Sequence, residues 1–138
     1  MSYDPENIFA KILRGEIPCH KVYEDDYSLA FMDIMPQAVG HTLVIPKEPA
    51  ITLFELSDAA STHLIHAVQR VGAAVKLAMG ADGIVVMQLN GVAAGQTVDH
   101  VHFHVIPGSV HDLGSHAAAE NQTGDLALLA SKITQCVV

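Results

Sequence analysis

Residues 98–107 read VDHVHFHVIP. His100, His102 and His104 alternate with Val101, Phe103 and Val105, and Pro107 ends the run. A two-residue period is the period of a β-strand. The segment therefore predicts a strand whose apolar residues enter a core while three imidazoles project from the opposite face at steps of ~7 Å. Histidine is neither a strong strand former nor cheap to bury, so a row of three points to a site.

The surrounding chain supplies the partners such a strand needs. Upstream, GIVVMQLN (83–90) predicts another strand, joined to the histidine strand by the glycine-containing loop NGVAAGQT (90–97). Residues 20–24 and 28–33 predict a strand pair around EDDY, and HTLVIPK (41–47) a further strand stopped by Pro46 and Pro49. Ser57 caps a long helix with Leu64, Ile65, Val68, Val71, Val75 and Ala78 at apolar positions, and Gly80 stops it. A short first helix is expected from Asp4 as N-cap and Pro5 as first helical residue, with Ile8, Phe9, Ile12 and Leu13 on one stripe and Gly15 at its end. A last helix is expected over about 124–136. Short strands around one long helix, with hairpin-length connections, favour an α+β fold: an antiparallel sheet of about five strands with one long and two shorter helices, in a single domain over 1–138.

Composition narrows the function. The chain has 138 residues, half of them hydrophobic, with 7 Lys+Arg against 15 Asp+Glu and a formal charge of −8. A general nucleic-acid binder needs a basic face to displace counterions, so that class is excluded, and any phosphate must be met by N–H groups and imidazoles. No apolar run has the length of a membrane span, and the start MSYDPENIFA lacks the regions of a signal peptide, so a cytoplasmic protein without membrane attachment is expected. Cys19 and Cys136 stand far apart in no CxxC spacing and are read as reduced thiols.

Three readings of the histidine row follow from its chemistry. It could be a surface row on a half-exposed strand. It could hold a metal, since histidines at i and i+2 can both reach one ion, although no cysteine or carboxylate falls on the same face. Or one imidazole attacks an electrophile such as phosphorus while its neighbours fix its tautomer and supply protons. The third needs an anion cradle. The loop 90–97 offers one, with glycines whose N–H groups can approach a ligand and with Gln96 and Thr97 as side-chain donors.

The segment GQTVDHVHFHVIP, together with NIFAKILRGEIPCHKVYEDD and LAFMDIMPQAVGHTLVIPK, resembles the histidine triad (HIT) family, most closely its Hint-like branch of nucleotide hydrolases and transferases. The resemblance runs from residue 7 to 107 and implies an α+β homodimer acting on a purine nucleotide without cofactor or metal. Position by position it implies His102 as the nucleophile on the α-phosphorus, His100 and His104 as its flanking pair, and His41 as the supporting fourth histidine. It implies Asp33 as the acceptor of the ribose hydroxyls, and Ile34, Ile8, Phe9 and Ile12 as walls around the base. Thr97 matches a hydroxyl that meets the phosphate, beside Gly95 and Gln96 of the loop. Leu89 and Asn90 compete for the place of the phosphate-loop asparagine. His20, His63, His66, His111 and His116 match nothing in the signature and are read as structural or solvent-exposed.

The chain departs from the pattern in two places. NIFAKI lacks the cysteines with which many bacterial relatives bind a structural zinc, and IPGS replaces a basic residue after the triad. The activity implied is hydrolysis of nucleoside phosphoramidates. A dinucleoside polyphosphate hydrolase and a nucleotide-sensing scaffold with incidental turnover are the alternatives.

Overall fold

A computed structural model describes residues 2–113 and 124–138; His116 lies outside them. Strands β1 (Lys21–Glu24), β2 (Ser28–Met32), β3 (Thr42–Pro46), β4 (Ile84–Gln88) and β5 (Phe103–Pro107) form one antiparallel sheet in the order β1-β2-β3-β5-β4. Helices α1 (Ile8–Leu13), α2 (Asp58–Met79) and α3 (Leu126–Thr134) complete the α+β fold expected from the pattern of apolar segments. Among the described residues, no helix is long and apolar enough to cross a membrane.

The central strands β2 and β3 are buried along their whole length, because both faces of the sheet are covered. On one face Ala30, Met32, Val44 and Val105 pack against Leu64, Val71 and Val75 of α2 and Ile133 of α3. On the other, Leu29, Phe31, Leu43 and Ile45 pack against Phe9 of α1. Near-continuous apolar runs in SLAFM and TLVIP are what burial on two sides demands. The long helix begins where its sequence signals it: Ser57 Oγ accepts the Ala60 N–H at 3.1 Å, and Gly80 ends it in the left-handed region at φ 59°.

Two boundaries differ from the sequence reading. Helix α1 is capped by Asn7 and not by Asp4, with Asn7 Oδ1 accepting the Ala10 N–H at 2.9 Å. Asp-Pro is equally at home in the first two positions of a β-turn. That turn wins here: the Asp4 carbonyl accepts from the Asn7 N–H at 3.2 Å and its carboxylate from the Glu6 N–H at 2.8 Å.

Strand β5 is also shorter than its alternation suggests. Ladder pairing begins only at Phe103, opposite Val44 of β3 and Gln88 of β4. Residues 98–100 before it bend, and this stretch finds partners elsewhere, through Val101 N–H to the Ala50 carbonyl at 2.9 Å and Gln96 Nε2 to the Val98 carbonyl at 2.9 Å. The alternation of faces nevertheless persists, since Val101 and Val105 are fully buried in the α2-side core.

Leu64 lies 1% exposed at the centre of the α2–sheet contact. Leu64→Ala should destabilise the protein by about 2–5 kcal/mol through lost transfer energy and a residual cavity, read from the urea midpoint.

Candidate active site

The site is built on the α1 face, where β2, β3 and β5 carry polar side chains beside an apolar wall. A cavity of about 450 Å³ opens there. Its inner wall is Phe9, Phe31, Leu43 and Val98, and its outer wall Ile8, Ile12, Ile17 and Ile34. Asp33, Gln37, Thr97, His102 and His104 form its polar end. Ile34 and Ile8 are 60% and 41% exposed, an apolar rim awaiting a partner.

The hydrogen bonds fix the state of each imidazole, because carbonyls can only accept and amides only donate. His102 is buried, and its Nδ1–H donates to the His100 carbonyl at 2.6 Å. Its Nε2 is therefore the nitrogen with the lone pair, on a ring that lines the cavity. Phe9 meets that ring edge-on, with centroids 5.0 Å apart at 88°, and limits its rotation. His100 is fully buried behind it, with Nε2–H donating to the Pro46 carbonyl at 2.8 Å.

A second pair adjoins the first, with the His104 ring edge-on to that of His102 at 5.0 Å between centroids. His41 Nδ1 accepts the Gln37 N–H at 3.0 Å, so its proton is on Nε2, 2.9 Å from His104 Nδ1 and 3.3 Å from Asp33 Oδ2. His104 Nδ1 accepts that proton's hydrogen bond and its own ring proton resides on Nε2. The register explains the meeting: His104 faces Leu43 of β3, two residues past His41, and Asp33 follows directly on β2. Asp33 is held in turn by the Met35 N–H at 2.7 Å from its Oδ1.

Asp33, His41 and His104 bring donor atoms within 4.8 Å of one another, a spacing that suits a metal ion as well as a proton. With the Gln37 N–H on His41 Nδ1, the His41 Nε2 proton lies between His104 Nδ1 and Asp33 Oδ2, and a cation in its place would require loss of the Gln37 bond or a doubly deprotonated ring.

Burial lowers the pKa of His102, against the opposing pull of the His100 carbonyl and the Asp33 charge. For His100 it lowers the value from 6.5 to about 4. Desolvation thus favours the neutral form of both rings.

The structure brings Ile8, Phe9, Ile12, Asp33, Ile34, Thr97, His102 and His104 to one cavity, with His41 and His100 directly behind it. Asn90, Gly95 and Gln96 are not among its lining. Asn90 is engaged by Leu53 and Gln88, and buried Gln96 accepts from the Gly91 N–H while donating to the Ile51 and Val98 carbonyls. Within the expected anion cradle the N–H groups of Ala94, Gly95 and Gln96 bond to carbonyls of the loop itself, because Val92–Ala94 forms a 3₁₀ turn. Gly91 and Gly95 serve that turn, at φ 94° and 107°.

His20, read as structural or solvent-exposed, lines the cavity together with Pro18 and Cys19. Gly15, at φ 78°, turns the chain so that residues 17–20 run back past α1, a return that no local pattern announces.

Known proteins resemble this chain over most of its length. The family model described as HIT domain matches residues 14–111. The Schizosaccharomyces pombe protein named adenosine 5'-monophosphoramidase hnt1 is 49% identical over 100 residues, covering 72% of each chain. The Arabidopsis thaliana protein named adenylylsulfatase HINT3 is 37% identical over 131 residues, 94% of this chain and 66% of that one. A crystal structure of a Hit-like protein involved in cell-cycle regulation from Bartonella henselae superposes with a TM-score of 0.89 at 46% identity, covering 99% of this chain and all of that one.

The buried neutral His100 links stability to pH. Its folded pKa lies below the unfolded value, so between pH 6.5 and about 4 the unfolded chain binds a proton that the folded chain refuses. Stability should be full above 6.5 and fall as pH drops through that window, by about 3 kcal/mol for this group. Urea midpoints from pH 7.5 to 4 measure the fall. A His100 ring titrating near 6.5 in the NMR spectrum of the folded protein would contradict it.

Proposed function

We propose, from the premise that the chain belongs to the HIT domain family, that it is a hydrolase of nucleoside phosphoramidates acting through a nucleotidyl-histidine on His102. The carrying observation is the 2.6 Å bond from His102 Nδ1–H to the His100 carbonyl, which leaves a neutral Nε2 on the cavity side. Relatives named as phosphoramidase and as adenylylsulfatase support chemistry at a nucleotide α-phosphate.

In this reading a purine nucleotide lies with its base between Ile8, Phe9, Ile12 and Ile34 and its ribose hydroxyls at Asp33. Nε2 of His102 attacks the α-phosphorus in line, forming an N–P bond as the bond from phosphorus to the leaving nitrogen breaks. Thr97 and the Nε2–H of His104 hold the phosphoryl oxygens as charge shifts. The amine leaves with a proton. Water then cleaves the N–P bond to His102, and nucleoside monophosphate departs.

Among the described residues, the cavity lining contains no lysine or arginine, in a chain of net charge −8. A polyphosphate leaving group would carry anionic charge into a site with no fixed cation to meet it, whereas an amine needs none. That asymmetry favours the phosphoramidate over the dinucleoside polyphosphate.

We also infer a homodimer in the cytoplasm. β4 is an edge strand, IVVMQ, whose Val86 is 48% exposed, and an apolar edge of this kind is a template for pairing with a second copy. Both cysteines are free thiols, in keeping with a reducing compartment. Light scattering at micromolar concentration should give twice the chain mass; the monomer mass would refute the pairing.

The mechanism makes a direct demand of His102. Protein mixed with an adenosine phosphoramidate and quenched in alkaline denaturant should carry one adenylyl mass on the peptide containing His102. His102→Ala should lose turnover by about 10³-fold or more while binding AMP within about threefold of the native affinity. Label on His100 or His104, or full turnover by His102→Ala, would overturn the assignment.

A further inference from the structure

Tyr3 precedes the first helix and lies outside the residues that the family model matches. Its hydroxyl stands 2.6 Å from Nδ1 of His100, a contact between residues 97 positions apart. The two rings meet edge to face, 5.6 Å between centroids at 66°. Because the Pro46 carbonyl claims the Nε2 proton of His100, Nδ1 is the ring's acceptor and the tyrosine hydroxyl is the donor.

These bonds determine one arrangement of the His100 ring. Flipping it, or moving its proton to Nδ1, would set a lone pair against the Pro46 carbonyl and a proton against the hydroxyl. The same residue's carbonyl accepts from His102 Nδ1–H, while the adjoining Val101 N–H is tied to Ala50. A chain of directed bonds therefore runs from Tyr3 through His100 to His102.

We propose that Tyr3 is a positioning residue for the reaction, locking the tautomer and orientation of His100 and through it the aim of His102. The catalytic consequence rests on the hydrolase reading above; the ring-locking does not. The titratable groups set against the His100 ring are Tyr3 and His102. Of these, the hydroxyl favours the neutral ring by donating to its lone pair. Without that donor His100 should accept a proton at higher pH, and a charged His100 would disturb its neighbour.

Tyr3→Phe in the full chain removes the hydroxyl and keeps the ring contact. At pH 7 kcat should fall about tenfold, the scale of one lost directed hydrogen bond, with KM within about twofold. The acid limb of the kcat profile should move to higher pH. Long-range ¹H–¹⁵N spectra should show His100 departing from the pure Nε2–H form, with the His102 signals shifting in step.

Native kcat and native imidazole spectra in Tyr3→Phe would overturn the proposal, and a lowered melting temperature with both unchanged would reduce Tyr3 to a structural residue and overturn it equally. Failure of the hydrolase reading would appear in the native protein, as absent turnover. The ring spectra would then decide the positioning by themselves, with unchanged His102 signals counting against it.

Discussion

A buried neutral imidazole has one nitrogen that must donate and one that must accept, and the active end of this molecule is organised around meeting that condition three times. The Pro46 carbonyl assigns the proton of His100, the His100 carbonyl that of His102, and the Gln37 amide that of His41. Each partner is a main-chain group of fixed polarity, so the tautomers are set by the backbone of the fold. The lone pair of His102 is presented to the cavity as a consequence.

The backbone can do this because the sheet is rigid and covered on both sides. α2 and α3 seal one face, and α1 lays Phe9 across the other, against Phe31 and the ring of His102. The same packing desolvates the histidines, which lowers the pKa of His100 and His102 and keeps them neutral. Burial, often a cost to polar groups, here favours the protonation state that the proposed nucleophile requires. The apolar wall that excludes water from the rings is also the wall on which a base can lie.

Much of the architecture was legible in one dimension. Alternation at 98–107, the apolar runs SLAFM and TLVIP, and the Ser57 to Gly80 bracket each encode a local constraint with a known period or cap, and the strands and long helix follow them. The start of the first helix was misread because one local signal serves two structures: Asp4-Pro5 fits both a helix start and a turn, and Asn7 caps the helix instead. In the glycine loop, contacts beyond the local pattern also act, as Ile51 and Val98 draw Gln96 inward.

By itself the sequence determined that three histidines alternate with apolar residues and that the chain is acidic, whereas the assignment of residues 8–12 and 33–34 to a nucleotide site was implied by a family resemblance. The first two follow from periodicity and composition, which are properties of neighbours along the chain. Only the tertiary structure decided which nitrogen of each ring bears the proton, that Asp33 and His41 meet His104 across three strands, that His20 and Cys19 reach the cavity, and that Tyr3 touches His100. Those facts depend on directed bonds between residues as many as 97 positions apart, and a hydrogen bond of that reach exists only once packing has fixed both of its ends.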